Sequence, residues 1–138
     1  MEQLKEALSA AGIAYKENEP LCAHCTFRIG GPADLFVLPE NEEQLCAAIR
    51  LAKEAGVRSY LLGNGSNILF EDAGYRGAVI NVSAMKSGIG VIENISFPGK
   101  DPALTYDAVV VGAGQMLSSL CMAALENSLT GLEFAYGI

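Results

Sequence analysis

The chain has 138 residues, of which 51% are hydrophobic and 18% charged, so it can bury a core and is not intrinsically disordered. Its net charge of −7 and its scattered lysines and arginines argue against nucleic acid or an anionic membrane as a partner. With no apolar run long enough to cross a bilayer and only four cysteines, we expect a cytoplasmic protein with reduced thiols.

The first part of the chain predicts a small α/β lobe over residues 1–83. Asn41 is a typical helix N-cap, and Gly12 and Gly56 are typical residues just beyond a helix end. The predicted elements are, in order, a helix to residue 11, a turn at 18–20, a strand at 33–38, a helix at 41–55, strands at 59–62 and 68–70, a loop at 71–77 and a strand at 78–82.

The pattern changes after Ser83, and we place a lobe boundary at 83–88. Residues 84–138 then form a second lobe. Its predicted elements are a strand at 90–97, a turn at 98–102, a strand at 108–111 that leads into Gly112-Ala113-Gly114, a helix at 116–127 and an apolar segment at 132–138.

The glycine-rich turn Gly63-Asn64-Gly65-Ser66-Asn67 is the main candidate site of the first lobe. Glycines let a ligand approach the backbone, and successive N–H groups in such a turn can hold an anion. The turn is not a dinucleotide-binding fingerprint, because Ile68 stands at the third glycine position, and it lacks the lysine of a P-loop. A phosphate cradle is our working hypothesis for this turn, and the alternative, which the spacing alone favours, is an ordinary hairpin turn between two strands.

The sequence Cys22-Ala-His24-Cys25 raises the alternative of a zinc site, with Cys46 or Cys121 as a further ligand. A closed structural zinc site needs four placed ligands, and there is no second C-x-x-C pair. We therefore predict no metal site. Cys46 and Cys121 lie on apolar helix faces and are predicted to be small core residues.

Three motifs together resemble the UDP-N-acetylenolpyruvoylglucosamine reductase family, whose members make UDP-N-acetylmuramic acid for peptidoglycan. The motifs are TFRIGGPADLFVLPENEEQL, LGNGSNILF and GAGQMLSSLCMAALENSLTGLEFAYGI. The resemblance implies an α+β fold, an FAD-binding domain of the p-cresol methylhydroxylase type with FAD held between two small lobes. Residues 84–138 would be an incomplete second lobe.

The resemblance also implies roles for particular residues. The turn Gly63, Asn64, Gly65, Ser66 and Asn67 would hold the FAD pyrophosphate, and Arg28 would be a polar contact near the cofactor. Further contacts to the flavin would come from Gly112, Ala113 and Gly114 and from a second glycine-rich loop, whose start is matched by Ala135, Tyr136, Gly137 and Ile138.

In the family, NADPH reduces FAD, which passes a hydride to UDP-N-acetylglucosamine enolpyruvate. The family's catalytic serine, arginine and glutamate lie downstream of the motifs found here. We therefore expect no catalytic residue in this chain, no reductase turnover by the chain alone and weak affinity for FAD. The alternatives are a non-catalytic fragment that self-associates through the apolar segment Leu132–Ile138, and another FAD oxidoreductase of the same superfamily.

Overall fold

The computed structural model of the chain describes residues 1–85, 88–95 and 106–135. The chain divides into two compact units, Met1–Met85 and Lys86–Ile138. The first contains α1 (Glu2–Ala10), β1 (Ala14–Pro20), a 3₁₀ helix (Leu21–His24), β2 (Pro32–Leu38), α2 (Glu42–Glu54), β3 (Ser59–Leu62) and β4 (Tyr75–Asn81). The second contains β5 (Gly90–Ile95), β6 (Tyr106–Val110), α3 (Leu117–Glu126) and a 3₁₀ helix (Glu133–Ala135).

The first unit is built on a four-stranded mixed sheet in the order β1-β2-β4-β3. Strand β1 is antiparallel to β2, whereas β4 is parallel to both of its neighbours, β2 and β3. Parallel neighbours end at the same edge of a sheet, so β3 and β4 finish side by side, with Leu62 opposite Asn81. This edge carries the glycine-rich turn.

Both faces of the sheet are covered. Helices α1 and α2 pack on one face, and the 3₁₀ helix Leu21–His24 and the segment around Phe70 pack on the other. The first core contains Leu4, Leu8, Ile13, Leu35, Val37, Ala48, Ala52, Ala78 and Ile80. The second contains Leu21, Cys25, Ala33, Phe36, Leu62, Phe70 and Val79.

Helix α2 forms where the capping pattern predicts it. The Asn41 side chain accepts a hydrogen bond from the backbone N–H of Gln44 at 2.9 Å, and Glu42 and Glu43 occupy the first turn. These features satisfy an otherwise unpaired helix N–H and complement the helix dipole. Gly56 follows the helix with φ +64°. The prediction of this helix and of strand β3 is confirmed.

Three predictions for the first unit are wrong. Asn18–Pro20 is not a turn but the end of β1, because pairing with β2 continues to Pro20 opposite Pro32. Residues 68–70 are not a strand, and β4 begins at Tyr75, inside the predicted loop. The hairpin alternative fails as well, because the next strand after the turn is β4, which is parallel to β3, so residues 63–74 must cross back over the sheet.

The second unit combines the antiparallel pair β5 and β6, in which Gly90 lies opposite Val110, with helix α3. Ser128 has φ +57° just after the helix, and Cys121 of α3 donates its S–H to the carbonyl of Leu132 at 3.6 Å. Cys121 is buried as predicted, whereas Cys46 of α2 is exposed and its prediction as a core residue is wrong.

The predicted turn at 98–102 lies outside the described residues. Both units combine helices with sheet, which confirms the predicted α+β class. None of the helices in the described ranges has the length and apolar character that a membrane crossing requires.

Candidate functional site

The glycine-rich turn lies at the carboxyl ends of β3 and β4. The turn follows Leu62, the last residue of β3, and Val82 donates its backbone N–H to the carbonyl of Leu62 at 2.8 Å. Parallel sheets bind their ligands at this edge, where loops diverge from the strand ends. The topology therefore places the predicted phosphate cradle where a ligand site is expected.

The turn is joined to the segment that follows the first 3₁₀ helix. Thr26 donates its backbone N–H to the carbonyl of Gly65 at 3.0 Å and its hydroxyl to the carbonyl of Ser66 at 3.3 Å. Gly65 is buried with φ +66°, and a Cβ added to it would lie 2.0 Å from the carbonyl oxygen of His24. Residue 65 must therefore be glycine for both the backbone angle and the close approach.

Asn81 fixes the turn from the neighbouring strand. Its side chain is 3% exposed, and its amide nitrogen donates to the carbonyl of Gly63 at 3.0 Å. Its side-chain oxygen accepts from the backbone N–H of Ser83 at 3.2 Å and from the Ser83 hydroxyl. Sequence reasoning missed this residue. The available signal was a lone amide at the end of the apolar strand Ala78–Asn81.

A cavity of about 490 Å³ opens beside these residues. Among its described lining residues, Arg28 carries the only permanent charge, and no carboxylate is present. A Cβ added to Gly63 would meet no atom within 4 Å, so the backbone there faces open space. The cavity is lined by Ala23, His24, Cys25, Thr26, Arg28, Gly63, Asn64, Asn81 and Ser83.

This lining fits a phosphate-bearing cofactor. Hydroxyl and amide groups can donate to phosphate oxygens, and the Arg28 guanidinium supplies positive charge. The open backbone at Gly63 leaves room for a phosphate to come close to the main chain. An acidic chain needs such a local arrangement to attract an anion against its overall charge.

Arg28 is held in a special backbone conformation at the rim of the cavity. Its φ is +54°, which is uncommon for a residue other than glycine. Its backbone N–H donates to the carbonyl of Cys25 at 3.2 Å, which closes the turn that carries it. A residue other than glycine in the left-handed backbone region costs free energy. Such residues are concentrated at functional sites.

His24 lines the cavity and also contacts Glu19, which is not among the lining residues. Its Nε2 lies 2.8 Å from Glu19 Oε1, and its ring stacks on Phe36 with the centroids 4.0 Å apart. Lys16 also contacts Glu19, at 2.9 Å. The hydrogen bond from Lys16, followed by that from His24, holds the pKa of the Glu19 carboxyl below its usual value. In the described part of the chain, no three His, Cys, Asp or Glu residues form a group that could hold a metal ion.

The structure brings together only some of the predicted site residues. Arg28, Gly63 and Asn64 line one cavity, whereas Ser66 and Asn67 are exposed in the same turn without lining it. Gly112, Ala113 and Gly114 follow β6 in the second unit, where Gln115 donates its N–H to the carbonyl of Gly112 at 3.0 Å. Gly137 and Ile138 lie outside the described residues.

Comparisons with known proteins agree with a cofactor site. Residues 33–138 match a protein family described as FAD binding domain. The chain is 38% identical over 143 aligned residues to the UDP-N-acetylenolpyruvoylglucosamine reductase of Clostridium perfringens (strain 13 / Type A), covering 100% of this chain and 42% of that relative. The reductase of the same name from Alkaliphilus oremlandii is 40% identical over 88% of this chain and 36% of its own length.

The chain thus spans about two fifths of the length of the curated relatives it matches. Among solved structures, wild-type Physcomitrella patens BBE-like 1 aligns with a TM-score of 0.47 and 22% identity, over 66% of this chain and 23% of that chain.

Proposed function

Because the chain belongs to the FAD binding domain family, we propose that it forms the FAD-holding part of a UDP-N-acetylenolpyruvoylglucosamine reductase. The observation that carries this proposal is the cavity beside Gly63. It lies at the carboxyl ends of two parallel strands, and Arg28 is the only permanently charged residue in its described lining.

In this proposal, the first unit binds the pyrophosphate of FAD. The Arg28 guanidinium pairs with phosphate oxygens, and the bare backbone of Gly63 lets the phosphates approach the turn. Thr26 and Asn81 position the turn through their hydrogen bonds to Gly65 and Gly63. Ser66 and Asn67 remain proposed contacts that would reach the cofactor from the exposed side of the turn.

The second unit supplies the remaining proposed contacts. Residues 1–83 and 84–138 would be the two lobes of the cofactor domain, with Gly112, Ala113 and Gly114 approaching the flavin. Gly114 is buried and Gly112 is half-buried. Small residues at these positions would let the main chain come close to a flat ring system.

When bound, FAD would supply hydride transfer from NADPH to the double bond of UDP-N-acetylglucosamine enolpyruvate, a step of peptidoglycan synthesis. The contribution of this chain is to bind and orient the cofactor. Since we propose no catalytic residue within it, the chain alone should consume no NADPH in the presence of this substrate. The full-length Clostridium perfringens reductase is the positive control, and NADPH-dependent turnover by the 138-residue chain would contradict this part of the proposal.

FAD titration of Arg28→Gln against Arg50→Gln tests the binding site. Both changes remove one positive charge, but Arg50 is an exposed residue of α2 outside the cavity lining, with a 3.9 Å contact to Glu54. A charge-assisted hydrogen bond contributes about 1.5–3 kcal/mol, so Arg28→Gln should raise the Kd for FAD at least about tenfold.

Arg50→Gln should leave the Kd unchanged, because surface charges far from a ligand are screened by salt. Equal affinities of the two variants would contradict the role of Arg28. Absence of FAD binding by the unmodified chain, even at high cofactor concentration, would contradict the proposed function itself.

A further inference from the structure

Two cysteines, one in the first 3₁₀ helix and one just after it, have no part in the proposed FAD chemistry. Cys22 lies in the helix and is partly exposed, and Cys25 follows it and is 8% exposed. Both are free thiols. A 3₁₀ helix rises about 2.0 Å per residue, so positions three apart have Cα atoms about 6 Å apart.

That spacing suits a disulfide. Cα atoms of bonded cysteines usually lie about 4.4–6.8 Å apart. The Cα separation of Cys22 and Cys25 depends on the backbone angles of the two residues between them, and both of these lie in the 3₁₀ helix. The Cα positions therefore allow the bond, which forms when the side chain of Cys25, held on an extended backbone (φ −139°, ψ 155°), turns toward Cys22.

The alternative use of this motif, metal binding, lacks its third ligand. The His24 ring is stacked on Phe36 and its Nε2 contacts Glu19 at 2.8 Å, so this nitrogen already has a partner. No group of three metal-ligating residues occurs anywhere in the described residues.

We propose that Cys22 and Cys25 form a reversible disulfide when a peroxide oxidises the chain. The more exposed Cys22 thiolate attacks one oxygen of hydrogen peroxide, the O–O bond breaks, and a sulfenic acid forms while the departing hydroxide takes up a proton to give one water. The Cys25 thiolate then attacks the Cys22 sulfur and displaces hydroxide, which takes up a proton to form a second water. Two thiols lose two electrons and the peroxide gains them.

Oxidation changes a contact beside the candidate cavity. The reduced Cys25 thiol donates to the carbonyl of Ile29 at 3.4 Å, across the same turn that Arg28 closes by donating to the carbonyl of Cys25. A disulfide removes the S–H donor and turns the sulfur toward Cys22. The turn that carries Arg28 loses one of its two closing contacts.

The disulfide itself is tested by mass spectrometry of the chain carrying Cys46→Ser, which removes the exposed competing thiol. After treatment with hydrogen peroxide, we expect a mass lower by about 2 Da, reversal by dithiothreitol, and a cross-linked pair at residues 22 and 25 in peptide maps. The matched variant Cys25→Ser should instead gain oxygen at Cys22 and react with dimedone, because no resolving thiol remains.

Stepwise oxidation of Cys22 to sulfinic acid while Cys25 stays reduced would overturn the proposal, as would a bridge that joins Cys121. Because peptide mapping reports each thiol separately, the result does not depend on how stable any single variant is. Reduced and oxidised chains can be compared from the same preparation.

An effect on cofactor affinity rests on the proposed function. Loss of one neutral hydrogen bond in the Arg28 turn should raise the Kd for FAD about fivefold in the oxidised chain. Failure of both redox forms to bind FAD would contradict the proposed function and leave the disulfide result standing. Equal affinities in the two forms would contradict the link between the disulfide and the cavity.

Discussion

The carbonyl oxygen of His24 occupies the space in which a side chain at Gly65 would begin. A Cβ at residue 65 would lie 2.0 Å from that oxygen and 2.8 Å from the Cα of Cys25. Contacts this short do not occur in folded proteins, so one of the two segments would have to move. The absence of a side chain at Gly65 thus allows the turn after β3 to pack directly against the segment that leads toward β2.

Gly65→Ala should therefore destabilise the chain by more than about 2 kcal/mol, because both the left-handed backbone angle and the backbone clash oppose it. Gly12→Ala is the matched control, since Gly12 also has φ +66° but has no atom within 4 Å of an added Cβ. It should lose only about 1 kcal/mol, the cost of the backbone angle alone.

Urea unfolding followed by circular dichroism measures both variants of this pair. The difference between the two losses of unfolding free energy measures the effect of the close contact between the segments, separately from the cost of the positive φ. Equal losses at residues 65 and 12 would show that the contact with His24 is not a constraint on the fold.

Asn81→Ala should destabilise the chain by about 2–3 kcal/mol. The change leaves the Gly63 carbonyl and the Ser83 N–H without the partner that the amide provides, and an unsatisfied buried polar group costs about 1–3 kcal/mol. Ser83→Ala removes only a donor to the Asn81 oxygen and should cost about 1 kcal/mol or less. Unfolding midpoints in urea measure both, and an equal loss would show that Asn81 does not organise the turn.

Local patterns predicted the elements whose causes are local. The Asn41 cap, the glycine after α2 and the apolar run of β3 each act over a few residues, and each was correctly placed. The glycine turn and Arg28 were found through their motifs, and the structure brings Arg28 and Gly63 to one cavity.

Features that depend on distant pairing were not predictable in the same way. Asn18 looks like a turn residue, but β1 continues past it because β2 pairs with Glu17 and Glu19 on either side. Phe70 looks like a strand residue, but it packs onto the sheet as an anchor of the crossing segment. Asn81 gains its role only because β4 lies beside β3, which no local pattern shows.

The ionised Glu19 carboxylate should stabilise the folded chain at neutral pH, and this stabilisation should be lost in acid. Its folded pKa is lowered by Lys16 and then by His24, so the folded state holds fewer protons than the unfolded state. The stabilisation is therefore present above about pH 4.5, the unfolded value, and is lost as the pH falls through the folded pKa. Because ion pairs near the surface are screened by solvent, the effect should be below about 1 kcal/mol.

Glu19→Gln should reduce the difference between the urea midpoints at neutral pH and in acid. Glu6→Gln, at an exposed position of α1, is the control for a general change in net charge. If both variants retain the full acid sensitivity, the contacts of Glu19 with Lys16 and His24 do not contribute to it.

Gly63→Ala should weaken FAD binding without destabilising the chain, whereas Gly65→Ala should destabilise it. Gly63 lies outside the left-handed region and an added Cβ would meet no atom within 4 Å, so the free energy of unfolding should change by less than about 0.5 kcal/mol. The added methyl would occupy the open space where we propose that the pyrophosphate approaches the turn.

We therefore expect the Kd of Gly63→Ala for FAD to rise at least about tenfold, which corresponds to about 1.4 kcal/mol. Calorimetric titration with FAD and urea unfolding, made on the same sample, measure the two effects. An unchanged Kd in a stably folded variant would place the phosphates elsewhere, because a ligand in contact with the Gly63 backbone has no room for a side chain there.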